Sequence, residues 1–131
     1  MESDLNPNST MLVVDDQPEL RLLIKLTFSG TGFTVREAAD GESALAACAA
    51  EMPDVVLLDV MMPGIDGYEV CRRLKSEPRV GNSLVVLMTA GDQAAERARA
   101  REAGADLYVP KPFSPAELLR LVTEHLPARK S

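Results

Sequence analysis

The sequence predicts an α/β fold: a doubly wound, five-stranded parallel sheet with helices on both faces, in three layers. The first observation behind this prediction is a set of four apolar runs, at residues 11–14, 55–58, 84–88 and 107–109. The first three runs are continuously apolar rather than alternating, which is typical of strands buried on both faces of a parallel sheet. A fifth run, at residues 33–36, alternates between apolar and polar residues, which suits a strand at the sheet edge.

The second observation is that a helical segment follows each strand. Leucine, isoleucine and phenylalanine recur at helical spacing from residue 20 to 28, and Gly30 can end that helix. The next segments are an Ala- and Leu-rich stretch at 42–50, a helix capped by Asp66, and a stretch at about 92–103. The resulting (βα)5 order favours the strand sequence 2-1-3-4-5, which places the alternating strand at an edge.

The last helix has the best-marked start. Ser114 is placed to be its N-cap, Pro115 its first helical residue, and Glu117 the third residue after the cap. This is a capping box combined with a proline at the position that tolerates it. We therefore expect a helix from residue 115 onwards.

Composition limits the function further. The 131 residues suit one domain, predicted at 10–127 between a flexible N-terminal tail (1–9) and a C-terminal tail (128–131). The formal net charge of -6 argues against direct nucleic-acid binding. No apolar run is long enough to span a membrane, and Cys48 and Cys71 form no metal or redox motif. We expect a cytoplasmic protein whose two thiols serve in packing.

The third observation is where the polar residues fall. Asp15 and Asp16 follow the first strand, Asp59 the third, Thr89 the fourth and Lys111 the fifth. In the 2-1-3-4-5 order, strands 1 and 3 are neighbours at the topological switch point, where open α/β sheets bind ligands. Three carboxylates gathered there repel one another unless a cation neutralises them, and all-oxygen ligands favour Mg²⁺, with Mn²⁺ as a substitute.

Each of these residues also has a purely structural interpretation. Either member of the pair Asp15 and Asp16 could cap the first helix, and Asp59 could form a turn. Thr89 could be an ordinary strand residue, and Lys111 a solvated surface charge. These interpretations account for each residue separately but not for the convergence of all of them on one crevice.

At this point the chain resembles the receiver domain of two-component response regulators, a flavodoxin-like phosphoacceptor family, from about residue 11 to residue 126. The similar segments are VVDD at 13–16, LLDVMMPGIDG at 57–67, MTA at 88–90 and GADLYVPKPF at 104–113. Each segment alone is weakly specific. Their order and spacing together make the resemblance strong.

The resemblance implies a role for each residue. Asp59 would accept a phosphoryl group from a sensor histidine kinase, a phosphotransfer protein or a small donor such as acetyl phosphate. Asp16, Asp59 and the Met61 carbonyl would bind Mg²⁺ directly, and Asp15 would act through metal-bound water. Thr89 and Lys111 would contact the phosphoryl oxygens.

The resemblance also implies a signalling role rather than that of an enzyme with a separate substrate. Tyr108 would be the switch aromatic that moves with Thr89, and the output would pass to a downstream effector domain or protein. The resemblance, and the need to turn Lys111 back toward the pocket, suggest a cis bond between Lys111 and Pro112.

Three alternatives remain at this stage. A flavin-binding domain of the same topology would need a hydroxyl- or glycine-rich phosphate loop after the first strand. This chain has Asp15 and Asp16 there, and their charges would repel a phosphate. A phosphohydrolase with an aspartate nucleophile usually has a second acid two residues later, where this chain has Met61. A pseudo-receiver would serve only as an interaction module, and the complete acid set argues against it.

Overall fold

The computed structural model describes residues 9–77, 83–91 and 94–130, with side chains described as far as His125. The strands are β1 Thr10–Val14, β2 Thr34–Ala38, β3 Val55–Asp59, β4 Leu84–Thr89 and β5 Leu107–Pro110. The helices are α1 Pro18–Thr27, α2 Gly41–Ala50, α3 Gly67–Lys75, α4 Ala94–Glu102 and α5 Pro115–Lys130. Among these helices, none is long and apolar enough to cross a membrane.

All strand pairs in the sheet are parallel, and the order is β2-β1-β3-β4-β5. This confirms the predicted doubly wound, flavodoxin-like α/β fold, with the alternating strand β2 at an edge. Strands β1, β3 and β4 are buried almost throughout, as their continuous apolar sequences predict. The switch point therefore lies between β1 and β3.

Alternation along the strands divides the core into two layers. Leu12, Leu58 and Leu87 pack on the face covered by α2, α3 and α4, where Cys48 and Cys71 are also buried. Met11, Leu57 and Met88 pack on the opposite face, beneath α1 and α5. Both thiols are thus packing residues, as predicted.

Capping chemistry places two helices as expected. The Asp66 carboxylate accepts a hydrogen bond from the Glu69 amide at 2.9 Å and starts α3. The Ser114 hydroxyl oxygen accepts from the Glu117 amide at 3.0 Å and starts α5. Each cap satisfies an amide that the first helical turn leaves unpaired.

The boundaries differ by a few residues from the expected ones. β2 spans Thr34–Ala38 rather than 33–36, because pairing with β1 continues to the level of Val14. The helix expected at about 92–103 is α4, Ala94–Glu102; residues 92 and 93 lie outside the described residues. α5 continues past residue 127, while residues 1–8 and 131 of the expected tails lie outside the described residues, so the domain limits stay predictions.

Candidate phosphoacceptor site

Strand register brings three of the predicted site residues to one side of the sheet. Val14 pairs with Leu58, so Asp15 and Asp59 follow at the same level on neighbouring strands. Both share the side-chain parity of the α1–α5 face, as does Lys111 after β5. The Lys111 amide donates to the Thr89 carbonyl at 2.8 Å, which holds the end of β5 against β4.

Lys111 forms ion pairs with two buried aspartates. Its Nζ lies 3.2 Å from Asp15 Oδ2 and 3.2 Å from Asp59 Oδ1. The lysine side chain is only 27% exposed, so it is not a solvated surface charge. A single ammonium group thus partly neutralises two carboxylates taken out of water. The peptide bond between Lys111 and Pro112 is cis, as expected.

The Asp59 side chain is held through one oxygen. Oδ1 accepts a hydrogen bond from the Met61 amide at 3.2 Å and also faces Lys111. In the described part of the chain, no hydrogen bond or ion pair is found to Oδ2. One carboxylate oxygen is therefore anchored, and the other remains available for chemistry.

Burial raises the pKa of Asp59 above the ordinary value of an aspartate. The Met61 amide opposes this shift, because it donates a hydrogen bond to the charged form. The negative charge of Asp15 raises the pKa further, and Lys111 lowers it. The ionised carboxylate of Asp59 is thus less stable in the folded chain than in water, which favours the binding of a positive group nearby.

Asp16 completes a group of three acids. Carboxylate oxygens of Asp15, Asp16 and Asp59 all lie within 4.8 Å of one another, and Asp16 is the exposed member. Asp15 also accepts a hydrogen bond from the Gln17 amide at 2.8 Å, at the start of α1. Asp15 therefore forms a turn contact just before α1 but does not cap the helix, because the N-cap is Gln17, which has no side-chain cap hydrogen bond.

Thr89 and Tyr108 share the opposite face of the sheet. Leu87 pairs with Tyr108, and Thr89 lies two residues further along β4, so both side chains have the parity of the α2–α4 face. Thr89 is buried, and its hydroxyl donates to the Gly91 carbonyl at 2.8 Å. Tyr108 is half-buried against the core of that face.

The structure adds positions that sequence reasoning missed. A Cβ on Gly67 would overlap the backbone of Asp59 and Val60, so a glycine is needed where α3 begins against the end of β3. Arg21, on α1, donates from Nη1 to the Asp15 carbonyl at 2.7 Å. Glycine and arginine are too common to have marked these roles in a single sequence.

A cleft of about 360 Å³ opens beside the acid group, between the start of α3 and the α4 helix. Met61, 67% exposed, lies at its wall beside Asp16. Arg99 of α4 lies with its guanidinium carbon 4.1 Å from the centre of the Tyr68 ring. Its Nη2 is 4.0 Å from Asp66 Oδ2, so Arg99 links α4 to the start of α3.

Fold and site together define a class: open α/β proteins that carry a carboxylate pocket at the topological switch point of the sheet. The family model of the response regulator receiver domain matches residues 11–123, most of the chain. The chain belongs to this family of signalling domains, as the sequence motifs predict.

Known proteins agree with this assignment. The chain is 47% identical over 110 residues to the response regulator MprA of Mycolicibacterium vanbaalenii, covering 83% of this chain and 46% of that protein. It is 42% identical over 118 residues to a probable transcriptional regulator, ycf27, of Guillardia theta, covering 90% of this chain and 45% of that protein. The chain thus spans less than half the length of these relatives.

Two solved structures share the fold at 36% and 34% sequence identity. A putative response regulator from Chloroflexus aurantiacus superposes with a TM-score of 0.85 at 36% identity, covering 92% of this chain and 98% of that one. DrrB, a Thermotoga maritima OmpR/PhoB homologue, gives a TM-score of 0.83 at 34% identity, covering 95% of this chain and 54% of that one.

Proposed function

We propose that this receiver domain accepts a phosphoryl group on Asp59 from a sensor histidine kinase or a phosphotransfer protein, in a reaction that requires Mg²⁺. The observation that carries the proposal is the Asp59 carboxylate itself. It is buried at the switch point, anchored through Oδ1 by Lys111 and the Met61 amide, and accompanied by two more acids.

The chemistry of transfer follows from this geometry. Asp59 Oδ2 attacks phosphorus, an oxygen–phosphorus bond forms, and the bond from phosphorus to the donor's histidine nitrogen breaks. The electron pair returns to the imidazole ring, which takes a proton from solvent. Such transfer needs mainly positioning and neutralisation of charge spread over the phosphoryl oxygens. Lys111, already beside Asp59, is placed to neutralise one of those oxygens.

The donor set fits Mg²⁺. Three carboxylates lie within 4.8 Å of one another, with one lysine to offset them, so a hard divalent cation would relieve their repulsion. Asp16, Asp59 and the Met61 carbonyl would hold the ion, and Asp15 would act through its bound water. When bound, Mg²⁺, or Mn²⁺ in its place, supplies positive charge for the phosphoryl oxygens.

The response to phosphorylation would run through Thr89. Its hydroxyl donates to the Gly91 carbonyl in the present state, and it would turn to a phosphoryl oxygen once Asp59 is modified. Tyr108, on the same face of the sheet, would then move inward. The two residues would thus carry the change to a downstream effector domain or protein.

The phosphodonor protein would dock beside α1. A cleft of about 390 Å³ next to Lys111 is lined by Leu20, Leu23 and Phe113, and Leu22 and Leu26 are 54% and 63% exposed on the same helix. A donor that reaches Asp59 must approach over the carboxyl ends of the strands, which this apolar surface borders.

The acidic chain itself would bind neither DNA nor membrane, and we place this reaction in the cytoplasm.

The test is intact-mass measurement after incubation with acetyl phosphate, with and without Mg²⁺. We expect one hydroxylamine-labile phosphoryl group, formed only when the divalent cation is present, and none on Asp59→Asn. Asp40→Asn is the matched control, because asparagine replaces aspartate well at a helix N-cap and Asp40 caps α2. A wild-type chain that gains no phosphoryl group would instead be a phosphorylation-independent interaction module.

A further inference from the structure

Arg21 connects three parts of the fold that border the acid pocket. From α1, its Nη1 donates to the Asp15 carbonyl at 2.7 Å, and its Nε pairs with Glu37 Oε1 on β2 at 2.9 Å. The Arg21 side chain is only 18% exposed, although it carries a full charge. A planar guanidinium suits this geometry, because it can donate to two acceptors in fixed directions.

The carbonyl that Arg21 holds belongs to the peptide joining Asp15 to Asp16. Asp15 is fixed by other contacts: its amide donates to the Ala38 carbonyl at 3.1 Å, and its carboxylate accepts from the Gln17 amide. Asp16 has no such support. Its carboxylate is exposed, and among the described residues no hydrogen bond or ion pair to it is found. Its direction therefore depends on the peptide plane that Arg21 holds.

We propose that Arg21 is a positioning residue for the divalent cation, acting through the Asp15–Asp16 peptide to keep the Asp16 carboxylate facing Asp59. This rests on the proposed Mg²⁺-dependent function. Arg21 touches no reacting atom. Its hydrogen bond also keeps the Asp15 carbonyl turned toward α1, which leaves side-chain oxygens as the ligands that this loop offers.

Electrostatics and positioning predict opposite effects of removing Arg21. Loss of a positive charge near a cation site should by itself strengthen cation binding. Loss of the peptide anchor should weaken it, because groups that orient metal ligands typically contribute about tenfold or more to affinity. The sign of the change therefore separates the two roles.

The experiment is a titration of isotope-labelled protein with MgCl₂ at fixed ionic strength, followed by amide chemical shifts. The variants are Arg21→Ala and, as control, Arg120→Ala, which removes the same charge from an exposed ion pair with Glu124 on α5. We expect the control to bind Mg²⁺ like the wild type. We expect Arg21→Ala to bind about tenfold more weakly.

Each outcome decides between the ideas. If wild type binds Mg²⁺ and Arg21→Ala binds as tightly or more tightly, the positioning role is wrong and the proposed function stands. If the wild type binds no Mg²⁺, both the positioning role of Arg21 and the proposed Mg²⁺-dependent function are wrong. Should Arg21→Ala not fold, Arg21→Lys serves instead: its ammonium lacks the planar fork, so we expect intermediate affinity, and wild-type affinity would overturn the proposal.

Discussion

Asp59 carries an electrostatic cost in the described pocket, because it is buried beside two other acids and shares one lysine with Asp15. Burial and the Asp15 charge raise its pKa, and the Met61 amide and Lys111 only partly oppose this. The arrangement that suits a phosphoryl acceptor is thus unfavourable for the metal-free fold. Under the proposed function, stability is exchanged for activity at this residue.

Asp59→Asn should therefore raise the free energy of unfolding of the metal-free protein at pH 7 by about 1 kcal/mol. Asp59 lies within 4.8 Å of both other acids, and each such pair of like charges repels by roughly 0.9 kcal/mol or more even at the dielectric constant of water. Together the two repulsions outweigh the attraction to Lys111 that the variant loses. Lys111 keeps Asp15 as a partner in the variant. Urea unfolding in EDTA measures the change.

The pH dependence of this gain has a defined sign. Because the folded-state pKa of Asp59 is raised, its favourable contribution is complete below the unfolded-state pKa, about 3.9, and is lost as pH rises through the folded-state value. The advantage of Asp59→Asn should thus grow from about pH 4 to pH 7. Asp40→Asn is the control, and its change in stability should vary with pH in the opposite direction. Hydrogen bonds from Ser43 lower the folded-state pKa of Asp40 instead of raising it. A gain for Asp59→Asn that is independent of pH would contradict this account.

At the scale of elements, the position of Asp59 depends on how α3 approaches β3. The Gly67 amide donates to the Val60 carbonyl at 3.2 Å, and Gly67 has no room for a Cβ against the Asp59 backbone. The turn between β3 and α3 also carries Met61. The start of α3 thus sets the geometry of the loop that follows Asp59.

Gly67→Ala should lower the free energy of unfolding by about 2 kcal/mol, because the added methyl group must push backbone atoms apart. It should also reduce phosphorylation of Asp59. Gly91→Ala is the control: its Cβ would meet nothing within 4 Å and its carbonyl is retained for Thr89. Equal stability of the two variants in urea unfolding would show that the close approach is not rigid.

The contact between α3 and α4 gives a second test at this scale. Tyr68 has a buried hydroxyl for which the described residues offer no hydrogen-bond partner, while its ring lies under Arg99. Tyr68→Phe keeps the ring and should raise the free energy of unfolding by about 1 kcal/mol.

In a double-mutant cycle, Tyr68→Leu and Arg99→Ala should couple by about 0.5–1 kcal/mol. No coupling would mean that the stacking contributes nothing.

At the scale of the whole molecule, the sequence predicts what backbone periodicity controls. Continuous apolar runs gave the buried strands, and the order of elements placed Asp15, Asp59 and Lys111 at one edge. Contacts between side chains of different helices and strands could not be predicted from the sequence alone. Arg21 reaching Glu37, and Arg99 stacking on Tyr68, depend on helix orientation and rotamer, which leave no local pattern in one sequence.

Coupling across the molecule should pass through α4. Of its residues Ala94–Glu102, only Ala100 is buried, so few contacts hold the helix in place, and it covers the face that carries Thr89 and Tyr108. A Thr89 hydroxyl that leaves the Gly91 carbonyl for a phosphoryl oxygen changes the start of the segment leading to α4. We therefore expect the conformational response to concentrate on β4, α4 and β5.

Hydrogen exchange measured with and without Mg²⁺ and beryllofluoride, which mimics a phosphoryl group, can check this response. In wild type we expect altered amide exchange in α4 and β5. We also expect the Tyr108 ring to be less exposed in crystals of the beryllofluoride-bound protein than in crystals of the unmodified one, because the proposed switch moves the ring inward. Thr89→Val keeps the shape but removes the hydroxyl, so its Tyr108 should respond less. Thr89→Ser keeps the hydroxyl and should behave more like wild type. Tyr108 exposure that is unchanged in wild type would show that the signal leaves the pocket by another route, because the ring would then pack in the same way in both states.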